Sequence, residues 1–144
     1  MKVIIQRVKE SSVEVNNQII GKISKGYCIL VGFSKNDTPD KIHKLADKIL
    51  KLRIFDDENH NLNKSIQDIN GSILLISNFT LYADCTKGNR PSFGESLNYT
   101  EAKKMYEELV KEFKKTIKTE TGEFGADMII KIENDGPVTV EIEL

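Results

Sequence analysis

Two short polar stretches stand out because each follows or interrupts an apolar run. Ser77-Asn78-Phe79-Thr80-Leu81 comes directly after the apolar residues 73–76, where small hydroxyl residues and free backbone N–H groups can face a cleft. Asn134-Asp135-Gly136-Pro137-Val138-Thr139 holds a Gly-Pro step, in which proline lacks an N–H donor and restricts the residue before it. By pattern alone, the first stretch predicts only a strand that becomes polar at its tip. The second predicts either a turn that merely connects two strands or a functional fixture.

Neither stretch contains His or Cys, so a conventional nucleophile-and-base arrangement is not visible. Cys28 lies in the apolar strand pattern of residues 27–31, where a buried and inert thiol is the usual outcome. Cys85, in a polar loop, is a weak nucleophile candidate because no His is its neighbour in sequence. His43 and His60 have no ligand-like spacing. We therefore expect neither a metal nor an organic cofactor.

The bulk properties are those of an ordinary globular protein. The 144 residues predict one domain over residues 1–144, and 21 basic against 22 acidic residues give a net charge of −1. A duplex-binding protein normally carries a broad positive field, which this chain lacks, although a local Lys/Arg patch could still contact a nucleic-acid end. No apolar run approaches a membrane span, and no secretory signal pattern is present at Met1, so we expect a cytoplasmic location.

The N-terminal third is predicted to form a meander of strands. Residues 2–8 predict a strand, residues 13–15 and 19–23 a hairpin turning at Asn16-Asn17, and residues 27–33 a strand buried on both faces. Arg7 lies on a strand face that also carries apolar side chains. It is interpreted either as an exposed edge charge or snorkelling side chain, or as a guanidinium that reaches backbone carbonyls or a substrate anion.

Two amphipathic helices are expected. Thr38-Pro39-Asp40 predicts a helix over residues 39–51, with a cap, a proline at its first position and an acid in its first turn. Asn98 or Thr100 caps a second helix with an apolar stripe at helical spacing. Residues 56–70 predict a loop with one short strand. The fold class is therefore mixed α/β, a strand-rich single domain with two helices packed on a mainly antiparallel or mixed sheet.

The chain resembles the D-aminoacyl-tRNA deacylase family, formerly called D-tyrosyl-tRNA deacylase. The similarity covers the whole length, and the order and spacing of five motifs argue against chance. These motifs are Ile5-Gln6-Arg7-Val8, Ser77-Asn78-Phe79-Thr80-Leu81, Arg90-Pro91-Ser92-Phe93, Phe124-Gly125-Ala126-Asp127-Met128 and Asn134-Asp135-Gly136-Pro137-Val138-Thr139. One departure stands out, because Asn78 occupies the place of the family's usual Gln.

The resemblance implies hydrolysis of the ester that joins a D-amino acid, or glycine mischarged on alanine tRNA, to the 3′-terminal ribose of tRNA. Negative charge builds on the carbonyl oxygen in such a reaction, so the site needs donors already aimed at it. By similarity, the catalytic stretch comprises Ser77, Asn78, Phe79 and Thr80, with the backbone N–H groups around Phe79 and Thr80 as donors. In the family, the 2′-hydroxyl of the terminal adenosine is thought to help activate water.

The resemblance also implies how the D-configuration is selected. The Gly136-Pro137 bond would be cis, and its carbonyl oxygens would enter the partner's pocket across a homodimer interface. They would hold the substrate amino group and exclude an L side chain by clash. Arg7 would brace this turn, Ala102 and Met128 would lie beside the substrate, and Phe124 would line the adenosine pocket, although a core role for Phe124 is equally open.

Three alternatives stay open on the sequence. The chain could be a nucleic-acid-binding protein without catalysis, or a thiol esterase that uses Cys85. The loop residues Lys87, Gly88 and Arg90 could touch tRNA phosphates or simply be solvated.

Overall fold

The computed structural model describes residues 1–144, with eight strands, two helices and one 3₁₀ turn. The strands are β1 (Lys2–Val15), β2 (Gln18–Ile23), β3 (Gly26–Gly32), β4 (Phe55–Asp56), β5 (Leu62–Lys64), β6 (Ser72–Ser77), β7 (Thr119–Thr121) and β8 (Ile129–Glu143). The helices are α1 (Lys41–Leu50) and α2 (Tyr99–Lys114), and the 3₁₀ turn is Phe79–Tyr82. The predicted strand-rich, mixed α/β class with two helices is confirmed.

A six-stranded sheet organises the chain around β1. One edge of β1 pairs antiparallel with β8, and the other edge pairs antiparallel first with β3 and then with β2. Beyond β3 the sheet continues with β6 and β7, which are both parallel to their neighbours. Because β3 and β6 are parallel, their carboxyl ends at Gly32 and Ser77 meet at one edge of the sheet. That edge is where the polar stretch begins.

The first hairpin forms as expected. Asn16 and Asn17 have φ values of 50° and 62°, the left-handed conformation that a tight two-residue hairpin turn requires. The strand before this turn is longer than predicted, because β1 runs unbroken through residues 9–12. The polar segment 56–70 contains one short strand of its own, β5, as expected, and β5 pairs antiparallel with β4, which ends at the first residue of the segment, Asp56.

The two helices begin differently: α1 has no side-chain cap, whereas α2 has one. α1 begins at Lys41, so the prediction that Pro39 is its first residue and that Thr38 caps it was wrong. The Lys41 N–H instead donates to the Thr38 carbonyl at 3.1 Å, which forms a separate turn before the helix. For α2 the expected cap is confirmed, since the Asn98 side-chain oxygen accepts from the Glu101 N–H at 3.1 Å.

The stretch around Gly136 is not a turn between two paired strands, and that expectation was wrong. Residues 129–143 form one strand that pairs with β1 on both sides of the interruption, and pairing skips from Val8–Asn134 to Gln6–Thr139. The segment between them, residues 135–138, is a bulge, which we call the Gly-Pro bulge. The bulge shifts the strand so that side chains before and after it reach opposite faces of the sheet. Ile130 and Ile132 pack with one core cluster, whereas Val138 and Val140 pack with the other.

The sheet therefore has two unequal faces. The larger cluster, of 22 buried residues, lies between the sheet and both helices and includes Tyr27, Leu45 and Phe113. The smaller cluster, of six, lies on the opposite face around Cys28 and Leu74. Neither helix is long and apolar enough to cross a bilayer.

Candidate active site

A pocket of about 660 Å³ opens where β3 and β6 end. Ligands of sheets with parallel strands commonly bind beyond these carboxyl ends. Thirteen of its 19 lining residues are hydrophobic, so the pocket is an apolar space with few polar groups. The lining residues are Leu30, Val31, Gly32, Phe33, Ile76, Ser77, Asn78, Phe79, Ser96, Leu97, Tyr99, Ala102, Phe124, Gly125, Ala126, Asp127, Met128, Ile130 and Ile132.

The polar stretch leaves the sheet at Asn78. Its N–H still donates to the Val31 carbonyl, at 2.7 Å, in continuation of the strand pairing. Its side-chain oxygen then accepts from the Thr80 N–H at 3.1 Å and also from the Thr80 hydroxyl. An asparagine can close a short turn in this way because its amide reaches the backbone two residues on. The chain consequently turns into the 3₁₀ segment, and Phe79 is left 58% exposed.

The backbone donors of this turn are not equivalent. The Thr80 N–H is already used by the Asn78 side chain, whereas the Phe79 N–H donates to no carbonyl of a loop or turn. The strand beside the turn approaches closely, since a Cβ added to Gly32 would lie 2.8 Å from the Asn78 carbonyl oxygen. The Ser96 hydroxyl donates to the Phe79 carbonyl at 3.1 Å and so ties the turn to the loop before α2.

Aromatic side chains form another part of the pocket wall. Phe124 is half-buried, and its ring centroid lies 5.1 Å from that of Tyr99 and 5.5 Å from that of Tyr106. The Tyr106 hydroxyl donates to the Leu75 carbonyl at 2.7 Å, which fixes this ring against β6. Gly125 has a φ of +81°, and an added Cβ would lie 2.7 Å from the Tyr99 ring. Phe124 therefore both packs on the core and lines the pocket.

The structure divides the predicted site residues into two groups. Ser77, Asn78 and Phe79 line the pocket together with Ala102, Phe124 and Met128, and Thr80 follows directly in the same turn. Arg7, Gly136 and Pro137 do not line it. They lie together at the Gly-Pro bulge.

Arg7 is 6% exposed and holds the bulge by several contacts. Its Nε donates to the Asp135 carbonyl at 3.1 Å and lies 3.3 Å from the Asp135 carboxylate. Its Nη1 donates to the Ile54 carbonyl at 2.9 Å, so one planar fork spans two chain segments. The Gly136-Pro137 peptide bond is cis, and Gly136 has a φ of +127°. Arg7 is thus a buried anchor, and the exposed-edge interpretation was wrong.

Few ionisable side chains line the pocket. Asp127 is its only carboxylate, and no His or Cys lines it. Burial raises the pKa of the Cys28 thiol to about 11, although a hydrogen bond with Ser11 acts in the opposite direction. The exposed Cys85 lies in the loop outside the pocket lining. No three His, Cys, Asp or Glu side chains lie together in an arrangement that could hold a metal ion.

Several lining residues were not expected from the sequence. Tyr99 follows the Asn98 cap and is 60% exposed, although it packs on Phe124. Its position outside the apolar stripe of α2 was a usable signal, because a large exposed aromatic in a first helical turn has no core role. Phe33 and Leu97 carried no such signal, since apolar residues at element ends usually serve only packing.

Comparison with solved structures defines the class of fold. The structure described as "c-Myc DNA Unwinding Element Binding Protein" superposes with a TM-score of 0.94 at 38% identity and covers 100% of this chain and 99% of that one. The structure described as "Structural Analysis of a probable eukaryotic D-amino acid tRNA deacylase" superposes with a TM-score of 0.85 at 16% identity, covering 99% and 98%. The strand-rich sheet and its two helices are therefore a fold shared over the full length of both proteins.

Sequence comparison then gives the family. The family model for D-Tyr-tRNA(Tyr) deacylase matches residues 4–143. The chain is 54% identical to the D-aminoacyl-tRNA deacylase of Clostridium novyi (strain NT) and 55% identical to that of Clostridium tetani (strain Massachusetts / E88). Each comparison spans 99% of this chain and 97% of the relative. The chain belongs to the D-aminoacyl-tRNA deacylase family, which is a family of hydrolases.

Proposed function

We propose that this protein hydrolyses the ester bond of D-aminoacyl-tRNA and thereby removes wrongly charged amino acids in a proofreading step. The observation that carries the proposal is the Phe79 N–H, a backbone donor without a loop or turn acceptor, beside an apolar pocket that offers no nucleophilic side chain. Such a site suits a reaction in which water attacks and the protein stabilises charge. The family membership supports the same reaction.

The chemistry is the addition of water to the ester carbonyl carbon. The carbonyl oxygen becomes negative, and the Phe79 N–H donates to it. The bond to the ribose 3′-oxygen then breaks, and a proton from the attacking water ends on that oxygen. The products are the free amino acid and tRNA with a 3′-hydroxyl. The neighbouring 2′-hydroxyl of the substrate assists the water, so the pocket needs no side-chain base.

Asn78 positions this donor. Its side-chain oxygen holds the Thr80 N–H at 3.1 Å and the Thr80 hydroxyl, which fixes the 3₁₀ turn that carries Phe79. In this arrangement the Phe79 N–H is the first donor to the substrate oxygen. The Thr80 N–H becomes a second donor only if the Asn78 side chain releases it. Ser77 shapes the pocket beside the turn.

Selection of the D-configuration requires a second copy of the chain. Gly136 and Pro137 do not line the pocket of their own chain, which supports their delivery to the pocket of a partner in a homodimer. Their carbonyl oxygens hold the substrate amino group and leave no room for an L side chain. Arg7 fixes the bulge in the required shape. Ala102 leaves space for the substrate, with Met128 beside it, and Phe124 faces the terminal adenosine.

The same geometry accepts glycine, which has no side chain to clash, so glycine mischarged on alanine tRNA is a second substrate. A tRNA substrate supports a cytoplasmic location, where tRNA is charged. We assign no metal or organic cofactor to the reaction.

Matched hydrolysis of D-tyrosyl-tRNA and L-tyrosyl-tRNA by the purified protein tests the proposal, with a chelator in every reaction. Release from the D-ester alone, unaffected by chelator, is the expected result. The control is Ala102→Trp, which fills the pocket and should abolish release. Absence of release from both esters would contradict the proposal and favour a nucleic-acid-binding protein without catalysis.

A further inference from the structure

An exposed aromatic pair lies at the mouth of the pocket. Phe79 is 58% exposed and Phe93 is 40% exposed, and their ring centroids lie 5.0 Å apart with the planes at 65°. Phe79 also lines the pocket, so the pair continues the aromatic surface outward from it. Neither ring is needed to close the core. We call these two side chains the aromatic pair.

The two ends of the loop that leads to Phe93 are hydrogen-bonded to each other. The Asp84 N–H donates to the Ser92 carbonyl at 2.7 Å, and the Ser92 N–H donates to the Asp84 carbonyl at 2.9 Å. The Asp84 carboxylate accepts from the N–H and hydroxyl of Thr86, at 2.9 and 2.7 Å, and these bonds lower its pKa. Phe93 follows directly after this bridge. Its ring is therefore presented by a loop whose ends are held together.

The tip of the loop is positively charged. Residues 85–94 contain Lys87 and Arg90 and no carboxylate. Both side chains are exposed, and neither takes part in a salt bridge of the chain. The nearest acids in sequence are Asp84, which binds within the loop, and Glu95. Two free cations thus stand on the same loop as an exposed aromatic ring.

We infer that the aromatic pair is a stacking platform for the nucleotide that precedes the terminal adenosine of a single-stranded 3′ end, with Lys87 and Arg90 facing its phosphates. This inference rests on the proposed function, because it extends the same substrate one nucleotide out of the pocket. Unpaired bases are held by stacking on aromatic faces, and cations beside such a face bind the backbone. The net charge of −1 requires these contacts to be local rather than spread over the molecule.

The test compares one D-tyrosyl ester on two carriers, full-length tRNA and 3′-adenosine alone. Replacement of Phe93 by Leu keeps an apolar side chain but removes the aromatic face, whereas Phe93→Tyr keeps that face. We expect Phe93→Leu to lower the tRNA-to-adenosine ratio of kcat/KM by about fivefold or more, mainly through KM for tRNA. Phe93→Tyr should keep the tRNA-to-adenosine ratio of the wild-type protein. Leu62→Ala, which shortens an exposed apolar side chain on β5, is the matched control and should leave the ratio unchanged.

A salt series gives an independent readout. The double variant Lys87→Gln, Arg90→Gln should flatten the dependence of log kcat/KM for tRNA on log salt concentration by about 0.7 for each phosphate that the variant no longer neutralises. Lys48→Gln on the exposed side of α1 is its control and should not change the slope.

Three outcomes would overturn the inference while the proposed function stands. Phe93→Leu could lower both carriers equally, which would make Phe93 only a support for Phe79. The variant could leave kcat/KM unchanged for both carriers, or the wild-type protein could hydrolyse the adenosine ester as efficiently as the tRNA. Hydrolysis of neither carrier by the wild-type protein would instead overturn the proposed function, and the platform with it.

Discussion

At the scale of single residues, Asn78 could be located from the sequence, but its hydrogen bonds could not be predicted from it. The sequence located the stretch and its departure from the family's Gln. It could not show that the shorter stem places the side-chain oxygen on the Thr80 N–H and hydroxyl. That outcome depends on where the strand ends, and the end is set by the pairing of Asn78 with Val31 in a neighbouring strand. A non-local contact therefore decides that the Asn78 side chain occupies the Thr80 N–H.

Two substitutions at Asn78 separate its structural role from its role in the reaction. Asn78→Asp keeps an acceptor for Thr80, so thermal stability should change little, but it places a carboxylate beside the developing oxyanion. We expect kcat to fall by about tenfold or more, because oxyanion stabilisation is weakened. Asn78→Ala removes the acceptor and should lower the free energy of unfolding by about 1 kcal/mol. Urea denaturation and single-turnover hydrolysis of D-tyrosyl-tRNA measure both effects. An Asp variant with wild-type kcat would contradict the placement of the oxyanion at this turn.

The two thiols should differ sharply in reactivity. Burial raises the pKa of Cys28 to about 11, so almost none of it is thiolate at pH 8, whereas Cys85 is exposed. Alkylation of the native protein should modify one thiol per chain, and denaturation should expose the second. Mass spectrometry of peptides identifies the modified site. In addition, Cys85→Ala should retain full deacylase activity, and a near-inactive variant would revive the thiol-esterase alternative.

At the scale of elements, alternating and helical patterns predicted most of the fold. The first hairpin, the buried strand β3 and the capped helix α2 followed from local signals, because each depends on neighbours in sequence. The Gly-Pro bulge did not follow. Its flanking residues have in-phase apolar patterns, which a local interpretation assigns to two strands joined by a turn. The pairing of both halves with β1 is a long-range fact, and Arg7 holds the bulge from that same strand.

The start of the parallel pair β3–β6 offers a sharp test of packing. A Cβ at Gly26 would lie 1.8 Å from the Ser72 carbonyl oxygen, and backbone cannot move aside as a flexible side chain can. Gly26→Ala should therefore lower the free energy of unfolding by about 3 kcal/mol or more. Gly94→Ala is the matched control, since the nearest atom to its added Cβ is 3.7 Å away. Equal denaturation midpoints for the two variants would show that β3 and β6 approach each other less closely than in this structure.

At the scale of the whole molecule, the two groups of site residues lie apart within one chain. The pocket holds the polar stretch and the aromatic wall, whereas Gly136 and Pro137 lie outside its lining at the Gly-Pro bulge. The motifs indicated both groups but carried no information on their separation. Linear order cannot tell whether two motifs meet within one chain or between two. Under the proposed function, in which the Gly-Pro bulge selects the D-configuration, a complete site needs two copies of the chain.

Mixing two inactive variants tests directly whether the site is shared between two chains. Ala102→Trp fills the pocket, and Gly136→Ala distorts the bulge, because the added Cβ would lie 2.8 Å from a Val138 methyl group at a φ of +127°. Each variant alone should be inactive yet folded, as circular dichroism checks. If they exchange subunits, half of the dimers combine both variants and hold one intact site out of two. The mixture should then regain about a quarter of the wild-type activity.

The control for that mixture joins two defects in the same pocket. Ala102→Trp mixed with Met128→Trp leaves every pocket blocked, so it should stay inactive whatever the pairing. Light scattering on the same samples gives the oligomeric state. A monomeric mass, or a dimer whose first mixture stays as inactive as the control, would contradict the shared site, because then the bulge could not be serving the pocket of a second chain.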